Sequence, residues 1–204
     1  TAYPGAPTAT TAGARLVSFN LDWHPPREGP TWGANASVVT IPLGNPRLRR
    51  LAAAMAPAYL RVGGSEGDDA VYDLPPGTCK KQKVDPAFCL TGDRWTALLR
   101  FAADTGLGVC FGLNIMYGGR AAGNASAPWD PTNALALLEF TAKNNLTVAG
   151  FEVGNEENDL FTGDEQAAAF AEMHALLGDL WPAAAGRPAL LGPDAHGFHA
   201  CPGV

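Results

Sequence analysis

Charge is scarce in this sequence, and charge of one sign is nowhere concentrated. Lys, Arg, Asp and Glu make up 17% of the 204 residues, below the roughly 25% of an average soluble domain. The formal net charge is −6, and the longest basic runs are the pairs Arg49-Arg50 and Lys80-Lys81. Because binding to a phosphate backbone depends on a basic stripe, we expect no nucleic-acid partner.

Long hydrophobic runs are absent as well. No apolar stretch approaches the roughly 20 residues that cross a bilayer as a helix. The 24 glycines and 17 prolines predict many loops, without reaching the composition of a disordered chain. The sequence starts with Thr1 and shows no signal peptide, so we interpret it as a processed chain or as a piece of a longer one.

Several common ligand and catalytic motifs are missing too. There is no Gly-x-Ser-x-Gly nucleophile elbow. The loop Gly63-Gly64-Ser65-Glu66-Gly67 follows a predicted strand, but its acidic neighbours and its spacing disfavour phosphate binding. His196 and His199 near Cys201 have no second ligand pair upstream, and the acidic residues from Asp68 to Asp73 lack the spacing of a calcium loop. We therefore predict no nucleotide and no metal site.

Cysteines and glycosylation sequons bear on the compartment. Cys79 and Cys89 flank a polar segment that fits a disulfide-closed loop, although sequence alone leaves the pairing among four cysteines open. Asn-x-Ser/Thr sequons begin at Asn35, Asn124 and Asn145. Together these features favour the secretory pathway. The alternative is a cytosolic chain with accidental sequons and buried thiols.

Apolar, β-rich runs alternate with helical patterns along the chain. The predicted strands cover residues 16–22, 58–62, 108–114, 148–153 and 189–192. Helices are predicted after the N-cap residues Asn45, Asp93 and Asp130 and around Phe170–Leu180. On the first helix we predict one buried face made of Leu48, Leu51, Ala52 and Met55. This alternation predicts a parallel sheet covered by helices.

Two architectures fit that alternation, a doubly wound open sheet and a (β/α)₈ barrel. The predicted strands start about 40 to 50 residues apart, and a closed barrel at that spacing needs roughly 130 residues more. If the fold is a barrel, the chain ends after five of its eight strands. In both architectures ligands bind at the carboxyl ends of the strands. Polar residues collect there: Asp22, Arg61, Ser65, Asn114, Asn155, Glu156 and Asp194.

The pair Asn155-Glu156 is the most informative of these strand ends. A carboxyl group placed there can protonate a leaving-group oxygen, and the amide beside it can hydrogen-bond a sugar hydroxyl. Alternatively, the two side chains cap the following helix. We interpret Glu157 as part of a solvated helix start, and Glu152 as an inward-facing residue with a structural partner.

With these residues assembled, the chain resembles the heparanase-like glycoside hydrolases, family 79 of the clan A (β/α)₈ retaining enzymes. The likeness extends over roughly residues 14–196. It rests on blocks in a fixed order: residues 16–22, 44–48, 56–64, 111–114, Trp129-Asp130-x-x-Asn133, residues 151–158 and Gly192-Pro193-Asp194. The resemblance implies a partial barrel, its first five strands with four helices over residues 14–204, after a flexible segment 1–13.

The resemblance also implies a site. Glu156 would be the general acid/base, Asn155 would contact the sugar beside the cleaved bond, and Asp22, Ser65 and Arg61 would bind substrate. The implied reaction is hydrolysis of glucuronic-acid-containing glycans with anomeric retention and without a cofactor. The substrate class covers heparan sulfate in animal members and arabinogalactan or other glucuronides elsewhere. The loop from Lys80 to Trp95 is similar to that of plant and algal members.

Two departures from the family pattern stand out. Glu157 replaces the usual apolar or Pro residue after the acid/base, which adds a negative charge beside Glu156. The nucleophile of the family follows strand seven, so we expect the remainder of the barrel, in the same or another chain, to complete the site. An isolated chain with two open apolar sheet edges is expected to aggregate.

The expected partner is a glucuronic-acid-containing polysaccharide or proteoglycan glycan. The expected location is extracellular, lysosomal or vacuolar, including association with the cell surface or the membrane periphery. Two alternatives stay open: a non-catalytic, glycan-binding heparanase-like protein, and a doubly wound sheet that binds another small ligand.

Overall fold

Seven strands are present in the computed structural model, which describes residues 17–23 and 37–197. In chain order they are β1 (Phe19–Asp22), β2 (Ala58–Gly63), β3 (Val71–Asp73), β4 (Cys89–Thr91), β5 (Leu107–Leu113), β6 (Gly150–Val153) and β7 (Ala189–Leu191). Five of them form one parallel sheet in the order β1-β2-β5-β6-β7. The predicted flexible segment 1–13, Asn35, His199 and Cys201 lie outside the described residues.

Helices connect the strands of the central sheet. They are α1 (Pro46–Ala54), α2 (Ser65–Asp68), α3 (Thr78–Gln82), α4 (Gly92–Thr105), α5 (Thr132–Lys143) and α6 (Gly163–Leu180), with short 3₁₀ turns at Pro86–Phe88 and Glu157–Asp159. The four predicted helices correspond to α1, α4, α5 and α6. No helix among the described residues is long and apolar enough to span a membrane.

The strand order separates the two architectures considered above. In the central sheet each strand lies beside the strand that precedes it in that sheet, with no reversal. A doubly wound sheet needs a point at which the order reverses, so that alternative is wrong for the described residues. The mixed α/β fold with five parallel strands is compatible with the first part of a (β/α)₈ barrel.

The ends of the helices follow from local capping chemistry. The Asn45 side chain accepts hydrogen bonds from the backbone of Arg47 and Leu48 at 2.8 and 3.4 Å, as predicted for the N-cap of α1. The prediction that Asp93 is the N-cap of α4 is wrong. Thr91 caps this helix, accepting from Arg94 N at 3.2 Å, because β4 runs directly into the first turn.

The core lies between the central sheet and the helices that cover it. Trp95 is fully buried, packs edge-on against Phe111 with ring centroids 4.7 Å apart, and donates its Nε1 hydrogen to Thr141 at 2.9 Å. These contacts fix α4 and α5 against β5. The prediction of a buried face on α1 is wrong for Leu51 and Met55, which are exposed. Helix α1 contacts α4 through Arg49, which pairs with Asp104 in the last turn of α4.

The segment between β2 and α4, predicted as a long polar loop, has structure of its own. Strands β3 and β4 pair in parallel beside the helices α2 and α3. The disulfide between Cys79 and Cys89 confirms the predicted pairing. The buried amide of Asn133 in α5 hydrogen-bonds both the N–H and the carbonyl of Tyr72, so this small sheet is attached to the main fold.

Candidate active site

A cleft of about 710 Å³ opens where strands β1, β2, β6 and β7 end. All five residues predicted for the site, Asp22, Arg61, Ser65, Asn155 and Glu156, line this one cleft, with Gly64, Glu66, Glu152, Gly192, Pro193 and Asp194. One predicted polar strand end does not reach it. Asn114 is fully buried and donates its amide hydrogens to Ala70 O and to Asn133, because it anchors the β3–β4 segment.

Arg61 is the centre of a polar network on the cleft floor. Its Nε donates to Glu152 Oε2 at 2.7 Å, and its Nη2 donates to Asn155 Oδ1 at 2.9 Å and to Asp194 Oδ2. Burial lowers the pKa of Arg61, but the hydrogen bond to Glu152 and the charges of the surrounding carboxylates outweigh it and raise that pKa overall. The predicted structural partner of Glu152 is therefore Arg61.

The network also fixes the direction of the Asn155 amide. Because Asn155 Oδ1 accepts from Arg61, its Nδ2 points the other way and lies 3.4 Å from Ser65 Oγ. An amide held in this way presents N–H hydrogens at the cleft wall. Asn155 can thus donate a hydrogen bond to a bound ligand while its carbonyl oxygen stays fixed.

Asp22 is held close to the loop after β2. Its Oδ1 accepts the Trp23 backbone hydrogen at 2.6 Å. Gly64 faces it in a left-handed conformation with φ +104°, and a Cβ built at Gly64 would overlap the Asp22 carboxylate. Glycine is therefore required here for both conformation and space.

Glu156 stands at the tip of the loop that follows β6. It is exposed to the cleft and adopts the left-handed region with φ +58°, which is uncommon for a residue other than glycine. Its side chain forms no capping hydrogen bond to the following turn, and the Asn155 side chain is engaged by Arg61. The alternative that this pair caps the next helix is therefore wrong.

Asp68 lies beneath this loop. It is 2% exposed, and both of its carboxylate oxygens accept the backbone hydrogen of Asn155, at 3.0 and 3.3 Å. Burial, followed by the charge and the hydrogen-bonded carboxyl of Glu157, raises the pKa of Asp68 to about 9. Glu157 begins a short 3₁₀ turn, so the predicted helix start is confirmed, but its side chain is half-buried rather than solvated, and this burial raises its pKa.

Sequence reasoning missed Asp68, although one signal was available. Ser65 and Asp68 are three residues apart in the single-turn helix α2, and this spacing puts both side chains on one face. The structure brings both to Asn155, Ser65 beside its amide group and Asp68 beside its backbone N–H. Recognising that turn would have placed the two residues together.

The loop after β7 is tied to the loop after β6. Asn158 donates to the carbonyl of His196 at 3.0 Å and accepts its backbone hydrogen at 2.9 Å, while His196 Nε2 lies 3.1 Å from Asp159. This contact places Asp194 and Pro193 on the cleft wall. The contacts with Asn158 and Asp159 give His196 a structural role.

Within the described ranges, metal-ligating groups meet at one point. Asp73, Cys79 and Cys89 lie close enough to share an ion. However, the two sulfurs are bonded to each other, and Asp73 Oδ1 accepts the backbone hydrogens of Gly77 and Cys79 at 2.9 Å. The three residues therefore belong to a turn that a disulfide closes, and the two cysteines offer no thiolate to a metal ion.

The chain is similar to known proteins over most of its length. The family model described as glycosyl hydrolase family 79, N-terminal domain, matches residues 5–201. Heparanase-like protein 3 from Arabidopsis thaliana is 34% identical over an alignment that covers 69% of this chain and 29% of that protein.

Two further relatives carry names that state an activity. Baicalin-beta-D-glucuronidase from Scutellaria baicalensis is 27% identical over an alignment that covers 88% of this chain and 40% of that protein. Heparanase from Bos taurus is 28% identical over 210 residues, 74% of this chain and 35% of its own. The chain thus spans between about a quarter and two fifths of the length of the curated relatives it matches.

Proposed function

Since the chain belongs to glycosyl hydrolase family 79 and matches the N-terminal domain of that family, we propose that it supplies the general acid/base residue of a retaining glycosidase. The proposed substrates are glucuronic-acid-containing glycans. The observation that carries this proposal is the placement of Glu156. Its carboxyl group lies exposed at the tip of the loop after β6, in a cleft whose wall also presents the Asn155 amide.

Glu156 would act twice in such a reaction. As a carboxylic acid it donates its proton to the glycosidic oxygen while that bond breaks, and as a carboxylate it then takes a proton from the attacking water. A retaining mechanism needs a second carboxylate roughly 5 Å away as nucleophile. Among the other carboxylates of the cleft, Glu152 and Asp194 are engaged by Arg61, and the family resemblance places the nucleophile after the seventh strand of the barrel rather than at Asp22 or Glu66. We assign the nucleophile to the remainder of the barrel.

Asn155 and Arg61 have different roles in this proposal: Asn155 contacts the sugar, and Arg61 holds the side chains around it. One hydrogen of the Asn155 Nδ2 group donates to Ser65 Oγ, and the other would donate to the sugar hydroxyl next to the cleaved bond, an interaction that strengthens in the transition state. The sequence predicts that Arg61 binds substrate directly. Because its Nε and Nη2 already donate to three acceptors, we propose that it acts by holding Asn155, Glu152 and Asp194 in place.

Asp22 and Ser65 remain the proposed substrate contacts on the side of the cleft formed by β1 and β2. Both line the cleft, and Ser65 is exposed. The glucuronide class comes from the relatives, one named a glucuronidase and one a heparanase. Since Arg61 is already paired with carboxylates, the substrate carboxylate would be bound by donors from the remainder of the barrel.

The barrel itself belongs to the same proposal. Strands β1 and β7 are the two edges of the described sheet, and three further strands would pair with both and close it. We also propose a secretory or lysosomal/vacuolar location. The disulfide between Cys79 and Cys89 favours an oxidising compartment, and Asn124 and Asn145 are exposed, as glycosylation requires.

A direct test compares full-length wild-type protein with the Glu156→Gln variant on an oligosaccharide that ends in β-glucuronic acid. We expect release of the uronic acid by the wild type and its loss in the variant, while the exposed control Glu172→Gln behaves as wild type. Unchanged glycan binding with no sugar released by any of the three proteins would favour the non-catalytic glycan-binding alternative.

A further inference from the structure

Asp68 is a buried acid that the proposed chemistry does not use. It is 2% exposed, and among the described residues it forms no ion pair with a Lys, Arg or His side chain. A buried carboxylate without a cation is strongly disfavoured. Its environment therefore has to supply either a proton or a set of hydrogen-bond donors.

The environment supplies both through two neighbours of Glu156. The backbone N–H of Asn155 donates to the Asp68 carboxyl, at 3.0 and 3.3 Å from its two oxygens. The Glu157 side chain lies within hydrogen-bonding reach of the same carboxyl, and this interaction raises the pKa of Asp68. Two carboxyl groups can share a hydrogen bond only if one of them carries a proton. Burial and the interaction with Glu157 raise the pKa of Asp68 to about 9, whereas the interaction with Asp68 lowers the pKa of Glu157 against the effect of its burial; the proton of the pair is therefore held on Asp68 at neutral pH.

Other charged groups face the pair without neutralising it. Asp69 lies near both carboxyls, and Arg120 and His196 lie near Glu157. Arg120 is itself engaged, since it donates to Ala127 O, Leu160 O and Glu165 and lies 3.5 Å from the centre of the Phe161 ring. Tyr72 contributes its hydroxyl as acceptor for Asn114 N. Among the described residues no cation therefore neutralises Asp68, and its compensation comes from the Asn155 N–H and the shared proton.

The contacts lie on both sides of Glu156 in the chain. Asp68 holds residue 155 through its backbone, and the same carboxyl holds residue 157 through its side chain. Between these two points Glu156 adopts the left-handed conformation with φ +58°, which a non-glycine residue keeps only where its surroundings impose it.

We propose that the carboxyl pair of Asp68 and Glu157 is a positioning device that holds the loop on either side of Glu156 and so aims its carboxyl group into the cleft. This inference rests on the proposed acid/base role of Glu156. Neither member of the pair touches the substrate in this account; both act through the backbone of residues 155–157.

The test uses Asp68→Ala and Asp68→Asn in the full-length protein, with Asp179→Ala on the exposed end of α6 as control. Asparagine reproduces the protonated acid, because its oxygen accepts from Asn155 N–H and its amide donates to Glu157. We expect Asp68→Ala to lower kcat by about 100-fold, the cost of a misplacement of about 1 Å, with a smaller change in KM. We expect Asp68→Asn to keep kcat close to wild type.

Hydrogen exchange of the peptide that contains Asn155 gives a readout that needs no activity. We expect faster exchange in Asp68→Ala, and wild-type protection in Asp68→Asn and in the control. In the wild type, protection of this loop should fall above about pH 9, where the pair loses its proton; Asp68→Asn should not show this fall. That pH series does not depend on the folding of Asp68→Ala.

Each contrary result has a distinct meaning. Equal loss of kcat in Asp68→Asn and Asp68→Ala would show that an ionised Asp68 is required, and would overturn the shared-proton pair. Unchanged exchange in a folded Asp68→Ala protein would overturn the positioning role. Wild-type activity of Glu156→Gln would instead refute the proposed function, while the exchange data would still report on the pair.

Discussion

The guanidinium of Arg61 and the amide of Asn155 are joined by a hydrogen bond of 2.9 Å between Nη2 and Oδ1. The two residues are 94 positions apart, one in β2 and the other directly after β6. This bond decides which end of the Asn155 amide faces the cleft. It therefore links the parallel sheet to the orientation of the group that would donate to the sugar.

Replacing Arg61 should damage both stability and activity. Arg61→Ala leaves Glu152 and Asp194 without their cation, and breaking a partly buried charge network costs about 3 kcal/mol. We expect a loss of that size in chemical denaturation, with the exposed Arg100→Ala as control. Arg61→Lys should lose most of the activity as well, because an ammonium cannot reproduce the planar fork of donors. Wild-type kcat/KM in Arg61→Lys would contradict this account of Arg61.

Gly64 should not tolerate a side chain. Gly64→Ala combines a positive φ with overlap of the new Cβ and the Asp22 carboxylate, and we expect a loss of about 1–3 kcal/mol in the free energy of unfolding. Gly178 in α6 is the matched control, since no atom lies within 4 Å of a Cβ built there. Gly178→Ala should stabilise the protein by about 0.5–1 kcal/mol. Equal effects at both positions would show that Asp22 does not restrict Gly64.

The raised pKa of Asp68 predicts the direction in which the free energy of unfolding changes with pH. The folded state keeps the proton up to about pH 9, whereas the unfolded chain loses it near pH 4. The contribution of this proton to stability is therefore fully present below about pH 4 and is lost progressively as the pH rises toward 9.

Asp68→Asn has no proton to lose at this position, so its stability relative to wild type should grow between about pH 5 and about pH 8. Chemical denaturation at several pH values in that range measures the difference. The control Asp179→Asn should run parallel to wild type. A parallel curve for Asp68→Asn would mean that Asp68 is ionised in the folded protein.

The sequence predicts the framework of the fold well because strong local signals mark it. Helix α1 starts at Asn45 and α4 ends at Gly106, whose φ of +74° is the left-handed C-terminal conformation that glycine favours. The five strands of the central sheet are apolar runs in a regular alternation. Elements with such signals are found without any knowledge of their neighbours in space.

What the sequence does not predict depends on contacts between distant segments. Strands β3 and β4 have three residues each, too few for periodicity to show. Asp68 accepts a hydrogen bond from Asn155 N, which lies 87 positions later in the chain, and no local pattern predicts this contact or the half-burial of the neighbouring Glu157. Leu51 and Met55 fit an apolar helical face, but whether that face is covered depends on which elements pack against it. The five residues predicted for the site line one cleft because they lie at or near the carboxyl ends of strands that end at the same edge of the sheet.

The most direct test of the central claim is the dependence of the Glu156→Ala variant on the leaving group. Removing a general acid matters most where the leaving oxygen needs a proton and least where it departs as a stable phenolate. For the full-length protein we predict a fall in kcat/KM of about 10²–10⁴-fold on a glucuronide of a sugar alcohol. The fall should be much smaller on a glucuronide of a nitrophenol. An equal fall on both substrates would contradict the assignment of Glu156 as the proton donor.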